Sequence, residues 1–348
     1  MKETKLVFLT IFALFFLFSA CKFQKEPEVG GRNYQGIFLS MPYEIDVVGD
    51  TSNLQSQIDS VLEPFELIFN LNNPKSVCSR LNNFDRTDSA FVFKDSTLIF
   101  GIVFDLMKDM HTRSNNLYDP TLTPLKLEWM KAMMTGIQGV EPNLDSLYEF
   151  VGYDGAKIDL LEVYDETGKY SHSVIRKKTG SVNLDLTNLA RAYALDALSD
   201  YLNDLEVEQF KIHSGNNTIC YGTLVPELNL VNLGIGEEGD QQQIKLVNRA
   251  FSFKDSKDKQ GMLDVSYGYP VSNEMVYVGV SARKLFEAEV FSETFMIMGI
   301  EPSYQWYEYN SESDVQSFML FMKDSDISYA STEGFVQFMV QQDSLTVK

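Results

Sequence analysis

"VNLDLTNLARAYALD", residues 182–196, is the stretch on which the fold prediction rests. It predicts a strand that runs without a break into a helix, with Asp185, Thr187 and Asn188 at the junction. Backbone N–H groups point out of a helix start, so this junction could hold an anionic ligand. A docked core helix is the alternative, and it explains the apolar stripe along the helix, which consists of Leu186, Leu189, Ala190, Tyr193, Ala194, Ala197 and Leu198. It leaves Asn188 and Arg191, on the other side, without a role.

Helix and strand signals alternate on both sides of this junction, without repeats or low-complexity tracts. Strands are predicted over residues 34–48, between 155 and 185, and over 275–282. Helices are predicted over Leu54 to Ile68, from Asp95 to about Met110, over 143–152 and over 283–298. This order indicates an α+β fold with mixed or antiparallel sheets flanked by helices, and it argues against a nucleotide-binding Rossmann domain.

Composition limits the classes of function. The chain has 348 residues, of which 44% are hydrophobic, enough for one large domain or two smaller ones with a real core. A net charge of −20 excludes nucleic acid as an expected partner, because a binding surface would have to act against the overall field. Three cysteines are too few for a disulfide framework, and no C-x-x-C pair suggests zinc.

The N-terminal segment predicts export and a lipid anchor. Lys2 and Lys5 precede an apolar run of about fifteen residues, too short to span a hydrocarbon core of roughly 30 Å. The "FSAC" at its end resembles a bacterial lipobox, which makes residues 1–21 a lipoprotein signal peptide with Cys21 lipidated; an uncleaved anchor is the alternative. Residues 22–33 then form a flexible tether, and 34–348 a domain in the bacterial cell envelope, lipid-anchored to a membrane and outside the cytoplasm.

Five short stretches occur in one order over nearly the whole mature chain. They are "SVCSRLN" (76–82), "NNLYDPTLTPLKLEW" (115–129), "LDLTNLARAYALD" (184–196), "MLDVSYGYPV" (262–271) and "AEVFSETFMIMG" (288–299). They resemble stretches of the FAD:protein FMN transferase family, lipoproteins once assigned to thiamine biosynthesis. The resemblance implies a flavin cleft in an α+β fold, Mg²⁺ on the FAD pyrophosphate, and transfer of FMN to a Thr or Ser of an extracytoplasmic redox protein, with release of AMP.

The resemblance also implies roles for individual residues. Asp185 and Asp119 match flavin-contacting positions, and Gly215 resembles a strand end near the flavin. Asn188 falls where a backbone carbonyl reaches the metal, and Asp264 matches the Asp of the segment that assists the acceptor hydroxyl. For Asp119 and Asp264, capping of a turn is an equally open interpretation, because Asp commonly caps turns.

Several positions depart from the family pattern. The family Lys is Arg191 here, which retains the charge for binding and catalysis in a different geometry. The two metal-ligand positions, Asp and Thr in the family, are Glu289 and Glu293, four residues apart on one helix face. They could bind a hard cation such as Mg²⁺, or form a solvated acidic face with Glu287.

Other departures weaken the expected flavin cleft. Gly261 stands in place of the family His, Asn72 in place of a ring-stacking Tyr, and Leu39 where a Met-Gly-Thr motif begins. Two hypotheses therefore remain. The chain is a divergent FMN transferase acting on an acceptor flavoprotein of a membrane redox complex, or it is a membrane-tethered pseudoenzyme that binds flavin, a peptide or a partner of the redox machinery.

Overall fold

An eight-stranded antiparallel sheet forms the centre of the structure, a computed structural model that describes residues 31–49, 53–134, 141–154, 157–235 and 241–340. Its strands lie in the order β1-β2-β6-β7-β10-β13-β14-β15. They are β1 (Gly31–Phe38), β2 (Met41–Val48), β6 (Gln209–Ser214), β7 (Asn217–Tyr221), β10 (Arg249–Asp255), β13 (Met275–Ala282), β14 (Gln316–Lys323) and β15 (Asp326–Ser331). Every pairing in this sheet is antiparallel.

Smaller sheets and the helices surround this sheet. One sheet has the order β3-β5-β4, and two further strand pairs are β8 with β9 and β11 with β12. These strands are β3 (Phe91–Phe93), β4 (Ile158–Tyr164), β5 (Tyr170–Lys177), β8 (Leu230–Asn232), β9 (Gln243–Lys245), β11 (Leu263–Asp264) and β12 (Tyr269–Pro270). The helices are α1 (Leu54–Phe69), α2 (Val77–Asn82), α3 (Ile99–Arg113), α4 (Thr123–Met134), α5 (Thr187–Asp204), α6 (Ser256–Lys259), α7 (Leu285–Met298), α8 (Ile300–Tyr309) and α9 (Glu333–Val336).

Helices α5 and α7 form the buried layer against one face of the large sheet. Helix α5 has buried side chains on nearly every side, as expected for a helix enclosed by α1, α7 and the sheet. Helix α7 packs on β10 and β13. Its start is capped from α5, because the Asp196 carboxylate accepts hydrogen bonds from Leu285 N (2.8 Å) and Phe286 N (3.0 Å).

Strand β10 separates two cores because alternate residues point to opposite faces of a strand. Phe251 belongs to a second apolar cluster on the far face, together with Tyr277, Phe318 and Phe335. Ser252 and Lys254 are buried and both contact α7 through hydrogen bonds. The period of two along β10 thus directs two polar side chains into the helix layer.

The structure differs from the sequence predictions at four places. Residues 34–48 form a hairpin instead of one strand, because Leu39 and Ser40 adopt positive φ values of 45° and 64° and turn the chain. Residues 182–186 precede α5 outside any strand, and 145–150 form turns where a helix was predicted. Strand β1 begins at Gly31, three residues inside the predicted tether.

The remaining element predictions agree with the structure to within a few residues at the ends. Cys21, the signal peptide and most of the tether lie outside the described residues, so their roles stay predictions. In the ranges that the structure describes, no helix combines the length and apolar character needed to cross a bilayer.

Candidate functional site

A small polar pocket of about 50 Å³ lies where the starts of α4 and α5 approach the middle of α7. It brings together four residues that the sequence predicted for a functional site: Asp119, Asp185, Asn188 and Glu293. The complete lining is Tyr118, Asp119, Pro120, Leu122, Thr123, Lys126, Asp185, Asn188 and Glu293. The backbone connects two of the segments directly, since Asp185 N donates to Pro120 O at 2.8 Å.

Asp119 is buried and holds its own loop in place. Its Oδ1 accepts hydrogen bonds from Thr121 N (2.7 Å) and Thr121 Oγ1 (2.5 Å), and its Oδ2 accepts one from Tyr153 N (2.5 Å). Both carboxylate oxygens therefore have protein donors. This is the turn-capping interpretation of Asp119, at the wall of the pocket.

Asp185 and Asn188 are the exposed residues at the start of α5. Asp185 Oδ1 accepts from Thr187 N at 3.0 Å, which satisfies one of the N–H groups that a helix start leaves unpaired. Thr187 Oγ1 is buried and has no hydrogen-bond partner among the described residues. An unsatisfied buried hydroxyl at a helix start is a feature that a ligand could complete.

Arg191 is buried one turn further along α5, where its guanidinium donates to two oxygens of this chain. Its Nη2 donates to Leu39 O at 2.8 Å and its Nη1 to Asn188 Oδ1 at 3.0 Å, while Nε has no partner among the described residues. Burial lowers the pKa of Arg191, and the neighbouring carboxylates Glu289, Asp185 and Glu66 act in the opposite direction. Arg191 therefore holds the turn between β1 and β2 in place. The sequence had predicted a binding and catalytic role for Arg191 and not this structural one.

Glu289 and Glu293 occupy two different environments on α7. Glu289 is buried: its Oε1 accepts from Lys254 Nζ at 2.6 Å and its Oε2 from Ser252 Oγ at 2.8 Å. Burial acts to raise the pKa of Glu289, but Lys254, Ser252 and Arg191 outweigh it and hold the pKa below its ordinary value. Glu293 is half-buried and lines the pocket. Neither residue belongs to a solvated acidic face.

The donor groups do not fit the Mg²⁺ site expected at Asn188, Glu289 and Glu293. Both oxygens of Glu289 have protein donors, one of them the Lys254 ammonium. Throughout the described ranges, no three His, Cys, Asp or Glu residues are grouped so that they could hold a metal ion. Glu289 therefore serves the protein as a partner of Lys254 and Ser252 and not as a metal ligand.

Asp264 and Gly215 lie on turns away from the pocket lining. Asp264 Oδ1 accepts from Ser266 N at 2.8 Å, so Asp264 caps the turn between β11 and β12. This hairpin packs on α4 through Leu263, in a cluster with Leu122 and Leu125. Gly215 has φ +58° in the turn between β6 and β7. The flavin-contact and acceptor roles of these two residues stay predictions.

The structure shows the contacts made at three positions that depart from the family pattern: Leu39, Asn72 and Gly261. Leu39 and Ser40 form the turn held by Arg191, and Asn72 Nδ2 donates to Ser40 Oγ at 2.8 Å. Gly261 follows α6, where Gly261 N donates to Asp258 O at 3.0 Å. The side chain that replaces the expected stacking Tyr thus binds the hairpin turn.

Two residues at the site were missed by the sequence analysis. Burial raises the pKa of Tyr118 well above its ordinary value, and Glu293, Asp185, Glu289 and Asp119 add to that effect, so Tyr118 is a neutral phenol near four carboxylates. Tyr118 directly precedes Asp119, a signal that was available in the sequence. Lys254 had a weaker signal, a lysine in phase with Ser252 in an otherwise buried strand.

Comparison with known proteins agrees with this architecture. The sequence profile of the ApbE family matches residues 39–319. A curated FAD:protein FMN transferase of Chlamydia muridarum (strain MoPn / Nigg) is 27% identical over 234 residues, which are 62% of this chain and 69% of that protein.

Solved structures share the fold at low identity. The flavin transferase ApbE from Vibrio cholerae superposes with a TM-score of 0.69 at 18% identity, over 89% of this chain and 100% of that one. The apo form of the flavinyl transferase ApbE from Pseudomonas stutzeri gives 0.69 at 17%, over 89% and 96%. Because the profile match covers most of the chain and the folds coincide, the protein belongs to the ApbE family.

Proposed function

We propose that this protein is a flavin transferase that takes FMN from FAD and attaches it to a Thr or Ser of an extracytoplasmic protein. The observation that carries the proposal is the match of the ApbE family over residues 39–319, which includes every residue of the pocket. A relative of this chain carries the name FAD:protein FMN transferase. The non-catalytic alternative rests on the departures from the family pattern and on the paired Glu289, and the family match does not favour it.

The start of α5 supports a role in binding the FAD diphosphate. Helix α5 has 18 residues, and its first N–H groups carry partial positive charge at the pocket. Thr187 Oγ1, in the same helix turn but outside the lining of the pocket, is buried and without a described partner. Lys126 lines the same pocket and is exposed, so a positive charge faces the carboxylates there.

The reaction forms one bond and breaks one. The acceptor hydroxyl oxygen bonds to the FMN phosphorus, the bond from that phosphorus to the AMP oxygen breaks, the hydroxyl proton passes to a base, and AMP leaves. Positioning and charge neutralisation provide most of the catalysis in such transfers. The family resemblance makes Asp264 the proposed base; it lies outside the lining of the pocket, on the hairpin that packs beside α4. Mg²⁺ was expected on the diphosphate, but Glu289 cannot bind it while paired with Lys254.

The location and partner complete the proposal. Lipidation of Cys21 anchors the chain to a membrane of the bacterial cell envelope, with the domain outside the cytoplasm. The acceptor is then a flavoprotein of a membrane redox complex. Membrane fractionation tests the anchor, because Cys21→Ser releases the chain or leaves it unprocessed; unchanged processing and partitioning would contradict it.

The transfer itself is tested with the full chain in detergent. FAD is mixed with a peptide that contains Asp-x-x-Thr-Gly-Ala-Thr, and mass spectrometry follows the addition of FMN while chromatography follows AMP. A peptide with Ala for both Thr residues is the control substrate. Absence of peptide flavinylation and of AMP, while FAD still binds, overturns the transferase proposal and favours the binding protein.

The role of the pocket is tested in the same assay with two variants of one helix. Asp185→Asn removes a carboxylate at the pocket end of α5, and Asp204→Asn removes one at the far, exposed end. Loss of FAD binding in the first variant alone places the ligand at the start of α5. Equal binding by both variants moves the ligand elsewhere.

A further inference from the structure

Lys254 contacts one of the two glutamates at which the family resemblance placed a metal ion. Its ammonium donates to Glu289 Oε1 at 2.6 Å. The Lys254 ammonium and the Glu289 carboxylate form a buried ion pair, so the positive charge of the lysine acts on one of the two glutamates that were expected to share a divalent cation.

The fold positions this lysine firmly. Strand β10 pairs with β7 on one side and β13 on the other, and Lys254 lies opposite Val278 in that pairing. The alternation of β10 directs Lys254 and Ser252 to α7, where each donates to a different oxygen of Glu289. Ser252 Oγ also lies 3.2 Å from Ser292 Oγ. The carboxylate is thus held by a network of buried polar groups, all of them from this chain.

A divalent cation added to this arrangement would be unfavourable. It would compete with an ammonium already bound to Glu289 and would be repelled by that positive charge at short range. Arg191, a second cation whose charge acts on Glu289, is held by Leu39 and Asn188. The negative charge of Glu289 is thus neutralised by cationic side chains of this protein, without an ion from solution.

We propose that Lys254 is a built-in replacement for the divalent cation at Glu289 and Glu293, so that this site keeps its positive charge without metal. The role of that charge in flavin binding rests on the proposed function, whereas the exclusion of metal from Glu289 does not. Lys254 is a positioning residue in this proposal, since it acts through Glu289, one turn of α7 before Glu293 at the pocket wall. Flavin binding is then independent of Mg²⁺.

The first experiment measures divalent cations on the flavin-free full chain. Mn²⁺ binding is followed by electron paramagnetic resonance, and thermal unfolding is measured with Mg²⁺ and with a chelator. The wild type is expected to bind no Mn²⁺ through Glu289 and to unfold at the same temperature in both conditions. One equivalent of bound Mn²⁺ that is lost in Glu289→Gln overturns the proposal.

Removal of the lysine should open the site to metal. Lys254→Met leaves Glu289 without its ammonium, so the variant should unfold at a lower temperature than the wild type, and Mg²⁺ should raise that temperature. Lys254→Met/Glu289→Gln has neither charge and should not respond to Mg²⁺. Lys284→Met is the matched control, because it removes a lysine from a surface pair with Asp200 near the start of the same helix, and it should not respond either.

The outcomes separate this inference from the function. A folded Lys254→Met that ignores Mg²⁺ overturns the replacement of a metal by lysine. If Lys254→Met does not fold, the Mn²⁺ measurement on the wild type and Glu289→Gln decides alone. FAD is then titrated with Mg²⁺ or chelator, and equal affinity is expected. A requirement for Mg²⁺ contradicts the inference, whereas no FAD binding in either condition contradicts the proposed function and leaves the Mn²⁺ result standing.

Discussion

Glutamates on two successive turns of α7 have opposite environments. Glu289 is buried and receives hydrogen bonds from Lys254 and Ser252 of the large sheet. One helical turn later, Glu293 is half-buried and lines the pocket together with Asp119 and Asp185. One glutamate is part of the core and the other borders a small polar pocket. The spacing of two carboxylates on a helix therefore does not by itself define a shared metal site.

The largest expected effect on stability comes from the buried pair of Lys254 and Glu289. Lys254→Met leaves the buried Glu289 carboxylate uncompensated, and removal of one partner of a buried ion pair destabilises by about 3–5 kcal/mol. Urea unfolding measures the difference in free energy of unfolding. Lys254→Met/Glu289→Gln should recover most of the loss, so a double variant as unstable as the single one would contradict the pair.

The next effect is a pH dependence at the start of α7. Burial raises the pKa of Asp196 to about 7, although the N–H groups of Leu285 and Phe286 and the charge of Lys284 act to lower it. The folded state then binds the proton more tightly than the unfolded state, so stability from this group is complete below about pH 4 and is lost as pH rises to about 7. The slope is at most about 1.4 kcal/mol per pH unit.

Asp196→Asn should flatten that part of the stability curve. The asparagine carries no charge at any pH and can still accept one of the two backbone hydrogen bonds. Thermal unfolding from pH 4 to pH 8 compares the variant with the wild type. Parallel curves would show that another group titrates in this range.

A smaller loss is expected at the wall of the pocket. Asp119→Asn keeps one acceptor oxygen but places an amide N–H₂ against one of its three donors, which destabilises by about 1–3 kcal/mol. Urea unfolding is the measurement, with Asp109→Asn, an exposed position on α3, as control. Equal stability of the two variants would contradict the capping role.

The smallest effect on stability is expected at Glu293, at the pocket. Glu293→Gln removes one of several neighbouring negative charges and should change the free energy of unfolding by about 0.5 kcal/mol or less. A loss as large as that of Lys254→Met would contradict the difference between the two glutamates. Flavin fluorescence titration of the same variant then shows whether Glu293 contacts the ligand.

Part of the fold followed from the sequence because local pattern determines it. The apolar stripe of α5, the apolar composition of α7 and the valines of β13 predicted their elements. The hairpin turn at Leu39 and Ser40 was missed because neither residue is one that favours positive φ. The predicted helix at 143–152 was wrong: residues 145–150 form turns, and Leu144 and Val151 on either side of them pack into a small cluster with α4.

For the site, the sequence predicted which residues meet at the pocket but not every partner that they have. Asp119, Asp185, Asn188 and Glu293 meet at one pocket, as residues of a common site should. The pairing of Glu289 with Lys254 was not foreseen, because strand alternation gives the face of a lysine and not its partner 35 residues away. Long-range polar pairs of this kind need the packing of whole elements.

The contact from Asp196 to the start of α7 also fixes the rotation of that helix about its axis. A carboxylate with two acceptor oxygens can bind Leu285 N and Phe286 N together in only a narrow range of helix orientations. Glu289 and Glu293 lie one and two turns further along, so their directions are set by this clamp. Helix α5 thus contributes to the site at two places. Its first turn borders the pocket, and Asp196 in its third turn orients α7, the helix that carries Glu289 and Glu293.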